Sequence, residues 1–225
     1  MEPKEFRNIT QGKVVGHPDT LIKKLQKVRA LIFDWDGIFN NGAKGQIPST
    51  FSEIDSMGIN MLRFGYYLLH KKNPVSAIVT GERNETAIHW AEREHFHSVY
   101  LKVKNKVDIL DMLEKENNIT RDEILFVFDD IHDLSLAKEC GVKFLVRNKG
   151  ARFFSRYCRK MNYCDYVTKN PGGDHALREI SETVLNKLDL FEKTIEYRVE
   201  FKGIYSDYLQ MRNRVETKIE ELKYQ

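Results

Sequence analysis

The sequence predicts an α/β fold with a doubly wound parallel β-sheet, on the strength of two observations. Short apolar runs alternate with amphipathic helical segments along most of the chain. The runs are apolar at nearly every position, as expected of parallel strands that helices cover on both faces. Three runs also end in polar residues, and in Rossmann-like sheets of this kind ligands bind beyond the carboxyl ends of the strands.

The predicted elements begin with a helix. Residues 19–28 carry apolar side chains at helical spacing behind an acidic cap and lead into a strand at residues 30–33. The dipeptide Asn41-Gly42 and the loosely alternating run at residues 46–54 predict a β-hairpin before the next helix. Strands are then expected at residues 75–79, 98–101, 124–128, 143–146 and 166–168, with helices at residues 59–69, 84–95, 106–117 and 151–161 and after a break at residues 171–174.

Length and composition indicate one globular domain with an appendage. The 225 residues are 41% hydrophobic and 31% charged; we expect an N-terminal arm at residues 1–18, a core at residues 19–191 and a C-terminal helical extension at residues 192–225. The formal net charge of +3 gives no indication of a nucleic-acid or membrane partner. The sequence has neither an apolar run of transmembrane length nor a signal-peptide core, so the cytoplasm is the expected location.

Two carboxylates follow the first predicted strand. Asp34 and Asp36 are separated by one residue and followed by Gly37, so in an extended backbone both side chains face the same way. Two acids this close repel each other unless a cation lies between them, and oxygen ligands of this kind suit Mg²⁺. On their own, these residues are equally compatible with a solvated turn at a strand end.

Polar residues that end the other strands favour a functional interpretation. Because parallel strands end at the same edge of a sheet, these residues are expected to meet Asp34 and Asp36 there. A lysine that begins the helix after the short fourth strand is expected to join them. The residues are Thr80, Gly81, Lys106, Asp129 and Asp130.

Together these side chains meet the needs of an aspartate that attacks phosphorus. Mg²⁺ held by Asp34 and Asp129 would neutralise the repulsion between the nucleophile Asp34 and a phosphate group. The Thr80 hydroxyl and the Lys106 ammonium would bind the phosphoryl oxygens. Asp36 would protonate the leaving oxygen and then deprotonate the water that hydrolyses the aspartyl-phosphate.

The same residues, in the same order, resemble the four motifs of the haloacid dehalogenase (HAD) superfamily of phosphatases. The resemblance covers roughly residues 20–190. It implies that Asp34 is the nucleophile and that Asp36 is the acid/base, which also binds the metal through its backbone carbonyl. It further implies that Asp129 is a metal ligand, and that Asp130 or Asp133 orders the metal shell and the lysine.

The spacing of the motifs leaves no room for the cap domain that many members of this superfamily carry. Residues 51–59 and 172–179 resemble segments of the capless branch that contains 3-deoxy-D-manno-octulosonate 8-phosphate (KDO 8-phosphate) phosphatase. That branch forms tetramers, so the resemblance implies a homotetramer that hydrolyses a small phosphorylated sugar acid. The substrate contacts that it suggests are Gly81, Glu82, Arg83 and Arg178. Glu82 after Thr-Gly looks more like the relatives that act on nine-carbon sugar acids.

Two alternatives stay open on the sequence alone. A site without a cap is also accessible to phosphate esters on proteins or on nucleic-acid ends. Phe128 stands where the family has a glycine, as it would in a binding or assembly module with weakened chemistry.

Overall fold

The computed structural model describes residues 10–45 and 49–224, which form an eight-stranded sheet between two layers of helices. The strands are β1 (Lys13–Val14), β2 (Ala30–Phe33), β3 (Val75–Val79), β4 (Ser98–Leu101), β5 (Ile124–Phe128), β6 (Val142–Leu145), β7 (Tyr166–Val167) and β8 (Lys218–Glu221). The helices are α1 (Pro18–Leu25), α2 (Glu53–His70), α3 (Glu85–Arg93), α4 (Leu110–Asn117), α5 (Leu134–Ala137), α6 (Arg152–Lys160), α7 (Ala176–Lys187), α8 (Phe191–Glu200) and α9 (Ile204–Arg212). The spatial order is β1-β7-β6-β5-β2-β3-β4-β8, and all neighbours are parallel except β1 and β7. The predicted parallel α/β sheet is confirmed.

Alternating strand side chains build two apolar layers. In β2, Leu31 and Phe33 belong to the layer formed with α1, α2, α3 and α7, whereas Ala30 and Ile32 belong to the layer formed with α4, α5 and α6. All four side chains are fully buried, and each large one contributes about 2 kcal/mol by leaving water. Among the described residues, no helix is long and apolar enough to cross a membrane.

The strand order reverses beside β2. The chain adds β3 and β4 on one side of β2 and then returns to place β5 on the other side. The connections that leave β2 and β5 therefore diverge, which opens a crevice at their carboxyl ends. Asp34 follows β2 and Asp129 follows β5, so the fold places the two acids at this crevice.

The β-hairpin predicted after β2 is absent from the residues that the structure describes there. Residues 37–45 form turns and bends, in which Asn40 and Asn41 side chains accept the N–H groups of Gly42 and Ala43 at 2.7 and 3.0 Å. These local bonds use donors that a hairpin would need, and a lone two-stranded ribbon is marginal in water. Residues 46–48 of the predicted hairpin lie outside the described part of the chain.

The two ends of the chain also differ from their predictions. Residues 1–9 of the predicted N-terminal arm lie outside the described ranges, but Lys13–Val14 forms β1 and pairs with β7. The C-terminal extension is helical only over α8 and α9, because Lys218–Glu221 forms β8 along β4. β8 is mostly charged and has no apolar strand pattern; the free backbone groups at the edge of β4 pair with it.

Candidate active site

Asp34 lies immediately beyond the carboxyl end of β2. Its backbone N–H donates to the carbonyl of Val127 at 3.0 Å, so the pairing of β2 with β5 extends to this residue. The next residue, Trp35, is fully buried and stacks on Phe39 with a centroid distance of 4.3 Å. Because Trp35 is anchored in the core, the two acids on either side of it are held at the rim of the sheet.

Lys106 connects the acids that follow two different strands. Its ammonium nitrogen lies 2.5 Å from Asp34 Oδ1 and 2.5 Å from Asp133 Oδ1, and all three side chains are buried. The other oxygen of Asp133 accepts the backbone N–H groups of Asp129 and Asp130 at 3.2 and 3.1 Å. Asp133 therefore fixes both the lysine and the loop that follows β5.

The carboxylates of Asp34, Asp129 and Asp133 form one cluster. An oxygen from each lies within 4.8 Å of the others. Gly37 makes this approach possible: its φ is +81°, and a Cβ on it would collide with the Asp129 carboxylate. The glycine of the first motif thus has a steric role at the cluster as well as a conformational one.

The cluster contains more negative than positive charge. Burial raises the pKa of Asp34 to about 7, with a further increase from Asp133 that Lys106 only partly offsets. Burial, Asp34 and Asp133 raise the pKa of Asp129 to about 8. Burial acts to lower the pKa of Lys106, but Asp34 and Asp133 outweigh it and raise that pKa. Three carboxylates share one ammonium, and oxygen ligands of this kind suit a hard divalent cation.

These residues line a cavity of about 570 Å³ that is open on one side. Thr80, which follows β3, is buried at its wall, and its N–H and carbonyl groups bond to Tyr100 and Val103 at 2.9 and 3.1 Å. Of the predicted site residues, the cavity is lined by Asp34, Asp36, Thr80, Gly81, Glu82, Lys106, Asp129, Asp130 and Asp133. The predicted convergence of three strand ends on one edge is therefore present in the structure.

The Asp36 carboxylate lies apart from the buried cluster. Its Oδ2 is 3.1 Å from Lys44 Nζ, and its Oδ1 is 3.5 Å from Asn40 Nδ2. It remains on the cavity wall with partial access to solvent. A carboxyl group in contact with both the cavity and water is placed to exchange protons with a bound molecule.

Two predicted substrate contacts lie outside this cavity. Arg83 lines a neighbouring cavity of about 440 Å³, which also contains Glu82, and pairs with Glu85 and Glu221. Arg178, on α7, pairs with Glu182 at 2.6 Å, and its N–H donates to the Asp55 carboxylate at 2.7 Å. Because α7 packs on α2, Arg178 is held away from the acidic cluster of its own chain.

Sequence reasoning missed several polar residues of the cavity wall. They come from short loops whose positions depend on long-range packing, although the Asn-Gly turn after the first motif marked one of these loops. The residues are Asn41, Lys44, Lys104, His132 and Asn148. Lys44 and Lys104 add positive charge at the mouth of an otherwise acidic site.

Comparisons with known proteins give relatives along most of the chain. The chain is 24% identical over 170 residues to the 3-deoxy-D-manno-octulosonate 8-phosphate phosphatase KdsC of Haemophilus influenzae, an alignment that covers 72% of this chain and 86% of that protein. It is 26% identical over 178 residues to the KdsC of Escherichia coli K12, with 75% and 87% covered. No family model matches the chain.

Solved structures show the same fold. The 3-deoxy-D-manno-octulosonate 8-phosphate phosphatase of Moraxella catarrhalis, in complex with magnesium, phosphate and KDO, aligns with a TM-score of 0.65 at 23% identity over 83% of this chain and all of that one. A proposed HAD superfamily (subfamily III A) hydrolase from Legionella pneumophila aligns with a TM-score of 0.67 at 24% identity, with 81% and 95% covered. These similarities confirm the predicted resemblance to the HAD superfamily and its KDO 8-phosphate phosphatase branch.

Proposed function

We propose that this protein is a Mg²⁺-dependent phosphomonoesterase that hydrolyses a phosphorylated sugar acid of the octulosonate or nonulosonate type. The observation that carries the proposal is the joint placement of Asp34, Asp129 and Lys106 at one open cavity. The curated relatives, which are named as phosphatases of a sugar-acid phosphate, support the same class of reaction.

The donor set at this cavity fits Mg²⁺. Asp34 and Asp129 offer only carboxylate oxygens, which suit a hard cation, and the cluster contains no thiol or imidazole ligand. Asp34, Asp129 and the backbone carbonyl of Asp36 would hold the ion. When bound, the ion supplies charge neutralisation for the acids and for the phosphoryl oxygens of a substrate.

Asp34 is the proposed nucleophile. Lys106 binds Asp34 Oδ1 at 2.5 Å and so fixes the orientation of the carboxylate. Asp34 attacks phosphorus, the bond from phosphorus to the ester oxygen breaks, and the leaving alcohol takes a proton from Asp36. Water then attacks the aspartyl-phosphate while Asp36 accepts its proton, which releases inorganic phosphate and restores the Asp34 carboxylate.

The remaining wall residues have proposed roles in binding the substrate. The Thr80 hydroxyl, the Gly81 backbone N–H and the Lys106 ammonium bind the phosphoryl oxygens. Lys44 and Lys104, at the mouth of the same cavity, suit the carboxylate of a sugar acid. Glu82 and Arg83 border the adjoining cavity, where the sugar hydroxyls of a longer substrate would lie.

We also propose that the protein acts as a homotetramer, as in the branch that it resembles. The cavity is open, and a neighbouring subunit would exclude water from it. Arg178, which does not face the cavity of its own chain, would contribute to a site only across such an interface. Sedimentation velocity tests this directly, because a monomer would contradict it.

The proposed function is tested with KDO 8-phosphate and a panel of other phosphate esters, with and without EDTA. We expect Mg²⁺-dependent release of phosphate that the substitution Asp34→Asn reduces by roughly 10³-fold or more. Asp207→Asn, an exposed acid on α9, is the matched control. Activity of Asp34→Asn within tenfold of the wild type rules out nucleophilic catalysis by this residue. Turnover of phosphorylated polymers alone would instead support the macromolecular alternative.

A further inference from the structure

The C-terminal segment is attached to the edge of the sheet next to the catalytic lysine. β8 runs parallel to β4, with Leu101 opposite Glu221, and the N–H of Leu222 donates to the Leu101 carbonyl at 3.2 Å. The loop that leaves β4 reaches Lys106 within a few residues. The end of the chain therefore lies beside the segment that carries this lysine into the site.

Glu221 binds the loops that follow two neighbouring strands. One carboxylate oxygen accepts from Lys102 Nζ at 2.9 Å, just beyond β4, and the other pairs with Arg83, beyond β3. Each of these pairs is partly exposed and contributes little to stability on its own. Their effect is to connect the two loops through one side chain.

Tyr224 makes the most specific contacts with the lysine loop. Its hydroxyl oxygen accepts the backbone N–H groups of Lys104 and Asn105 at 3.1 and 3.4 Å and donates to Asp108 Oδ2 at 3.1 Å. These groups surround the first residue of the 3₁₀ turn Lys106–Ile109, whose N-cap residue Asn105 makes no side-chain cap bond. The Tyr224 hydroxyl thus accepts the backbone N–H groups of the two residues that lead into the turn.

We propose that the C-terminal segment, residues 218–224, is a strap that positions Lys106 for phosphoryl transfer, and that Tyr224 is its main positioning residue. This inference rests on the proposed function of the site. Tyr224 acts on the reaction only through the backbone before Lys106, which in turn contacts Asp34 at 2.5 Å. A lysine displaced by a fraction of an ångström would bind the transferring phosphoryl group less well.

A positioning role and a merely structural role predict different kinetics. Lys106 contacts the nucleophile, so loosening its turn reduces transition-state stabilisation and lowers kcat, with little effect on ground-state binding. A structural role would change the melting temperature and leave both kinetic constants of the folded enzyme unchanged.

The test is Tyr224→Phe, which removes the hydroxyl and keeps the ring that lies 5.4 Å from Lys104 Nζ. With KDO 8-phosphate and p-nitrophenyl phosphate in the presence of Mg²⁺, we expect kcat to fall about 3- to 10-fold with KM within twofold. Hydrogen exchange at the amides of Lys104 and Asn105 should become faster. Tyr157→Phe, an exposed tyrosine on α6 with no hydroxyl bond in the described structure, is the matched control and should change none of these.

The outcomes separate this inference from the proposed function. If the wild type is active and Tyr224→Phe has the same kcat, the proposed positioning role of residues 218–224 is contradicted, whatever the exchange rates are. If the wild type hydrolyses no phosphate ester, the proposed function fails, and the exchange measurement decides whether the strap holds the turn. In that case, unchanged hydrogen exchange at Lys104 and Asn105 would contradict the proposal that residues 218–224 hold the turn.

Discussion

The Lys106 ammonium lies 2.5 Å from the Asp133 carboxylate, and both side chains are almost completely buried. The lysine reaches this pair from a turn after β4, whereas the aspartate lies on a turn after β5. The contact therefore spans the crevice and connects the loop that carries the proposed metal ligand Asp129 to the loop that carries the proposed phosphate-binding lysine.

Asp133→Asn tests the charge of this pair. The amide keeps an oxygen for the backbone N–H groups of Asp129 and Asp130, but Lys106 loses one of its two anionic partners. The ammonium should then bind Asp34 alone, which reduces the nucleophilicity of the Asp34 carboxylate. We expect kcat to fall about 10- to 100-fold, measured by steady-state phosphate release. Asp207→Asn serves as the control, and a kcat within twofold of the wild type would contradict the prediction.

Asp129→Asn separates stability from function. Removing one of three buried, mutually repelling carboxylates should stabilise the metal-free protein by about 1 kcal/mol. The same change should abolish the stabilisation that we expect Mg²⁺ to give the wild type, which amounts to about 2.7 kcal/mol of unfolding free energy when free Mg²⁺ is 100 times its Kd. Thermal unfolding with EDTA and with Mg²⁺ measures both effects. A variant that Mg²⁺ stabilises as strongly as the wild type would remove Asp129 from the proposed ligand set.

Gly37→Ala tests the steric role of the first-motif glycine against its conformational role. Gly37 and Gly16 both have positive φ, at +81° and +83°, but a Cβ on Gly16 meets nothing within 4 Å. Gly16→Ala should therefore cost about 1 kcal/mol of unfolding free energy with normal kinetics. Gly37→Ala should also displace Asp129 and reduce activity at least tenfold. Equal kinetics in the two variants would show that the collision is relieved without affecting the site.

The sequence was sufficient to predict those site residues whose positions follow from local patterns. Asp34 and Asp129 each follow an apolar run, and parallel pairing of β2 with β5 then brings the two acids to one edge. The contact of Lys106 with Asp133 depends on two short turns, whose relative placement is set by packing rather than by a local motif. For Asp133, the sequence therefore indicates only an acidic residue in a segment that resembles a motif of the superfamily.

Two elements differ from the sequence-based expectation, one because of non-local backbone pairing and one because of local side-chain bonds. β8 has no apolar pattern and exists because β4 would otherwise present an open edge. The Asn41-Gly42 hairpin signal was local and strong, yet neighbouring asparagine side chains bond to the backbone there instead. The deciding partner of β8 is therefore far away in the sequence, whereas the hairpin is replaced by side chains of the segment itself.

We expect the protein to lose stability in mild acid because His97 is partly buried. Burial, with a contribution from Arg63, lowers its pKa from 6.5 to about 4, and its Nδ1 accepts the Ser76 N–H at 3.1 Å. Above pH 6.5 the ring is neutral in the folded and unfolded states. Between pH 6.5 and 4 only the unfolded state gains the proton, so the folded state loses roughly 2–3 kcal/mol as pH falls.

Urea unfolding at pH 7 and pH 4.5 measures this loss. His97→Asn keeps an acceptor near the position of Nδ1 without a titrating ring, so its unfolding free energy should fall less between the two pH values. His89→Asn, an exposed histidine on α3, is the control and should behave as the wild type does. Equal pH dependence in all three proteins would exclude His97 as the source.

Truncation after Leu190 tests whether the C-terminal extension is part of the folded core. Tyr205 and Tyr208 are buried against Phe64 of α2, with ring centroids 4.9 and 5.1 Å from it, and Thr194 is fully buried. The truncation removes both aromatic side chains, and losing the stabilisation from their burial costs about 4–6 kcal/mol, which lowers the melting temperature by about 10–20 °C in a chain of this size. The truncation also uncovers the edge of β4, which favours association through unpaired backbone groups.

Tyr208→Ala distinguishes these two effects, because it weakens the aromatic cluster and leaves β8 in place. It should lower the melting temperature by about 6–15 °C without changing the sedimentation coefficient, whereas the truncated protein should change in both. None of the acids of the cluster lies in the removed segment, so any residual folded protein keeps them. An unchanged melting temperature and sedimentation profile after truncation would show that the extension packs on nothing.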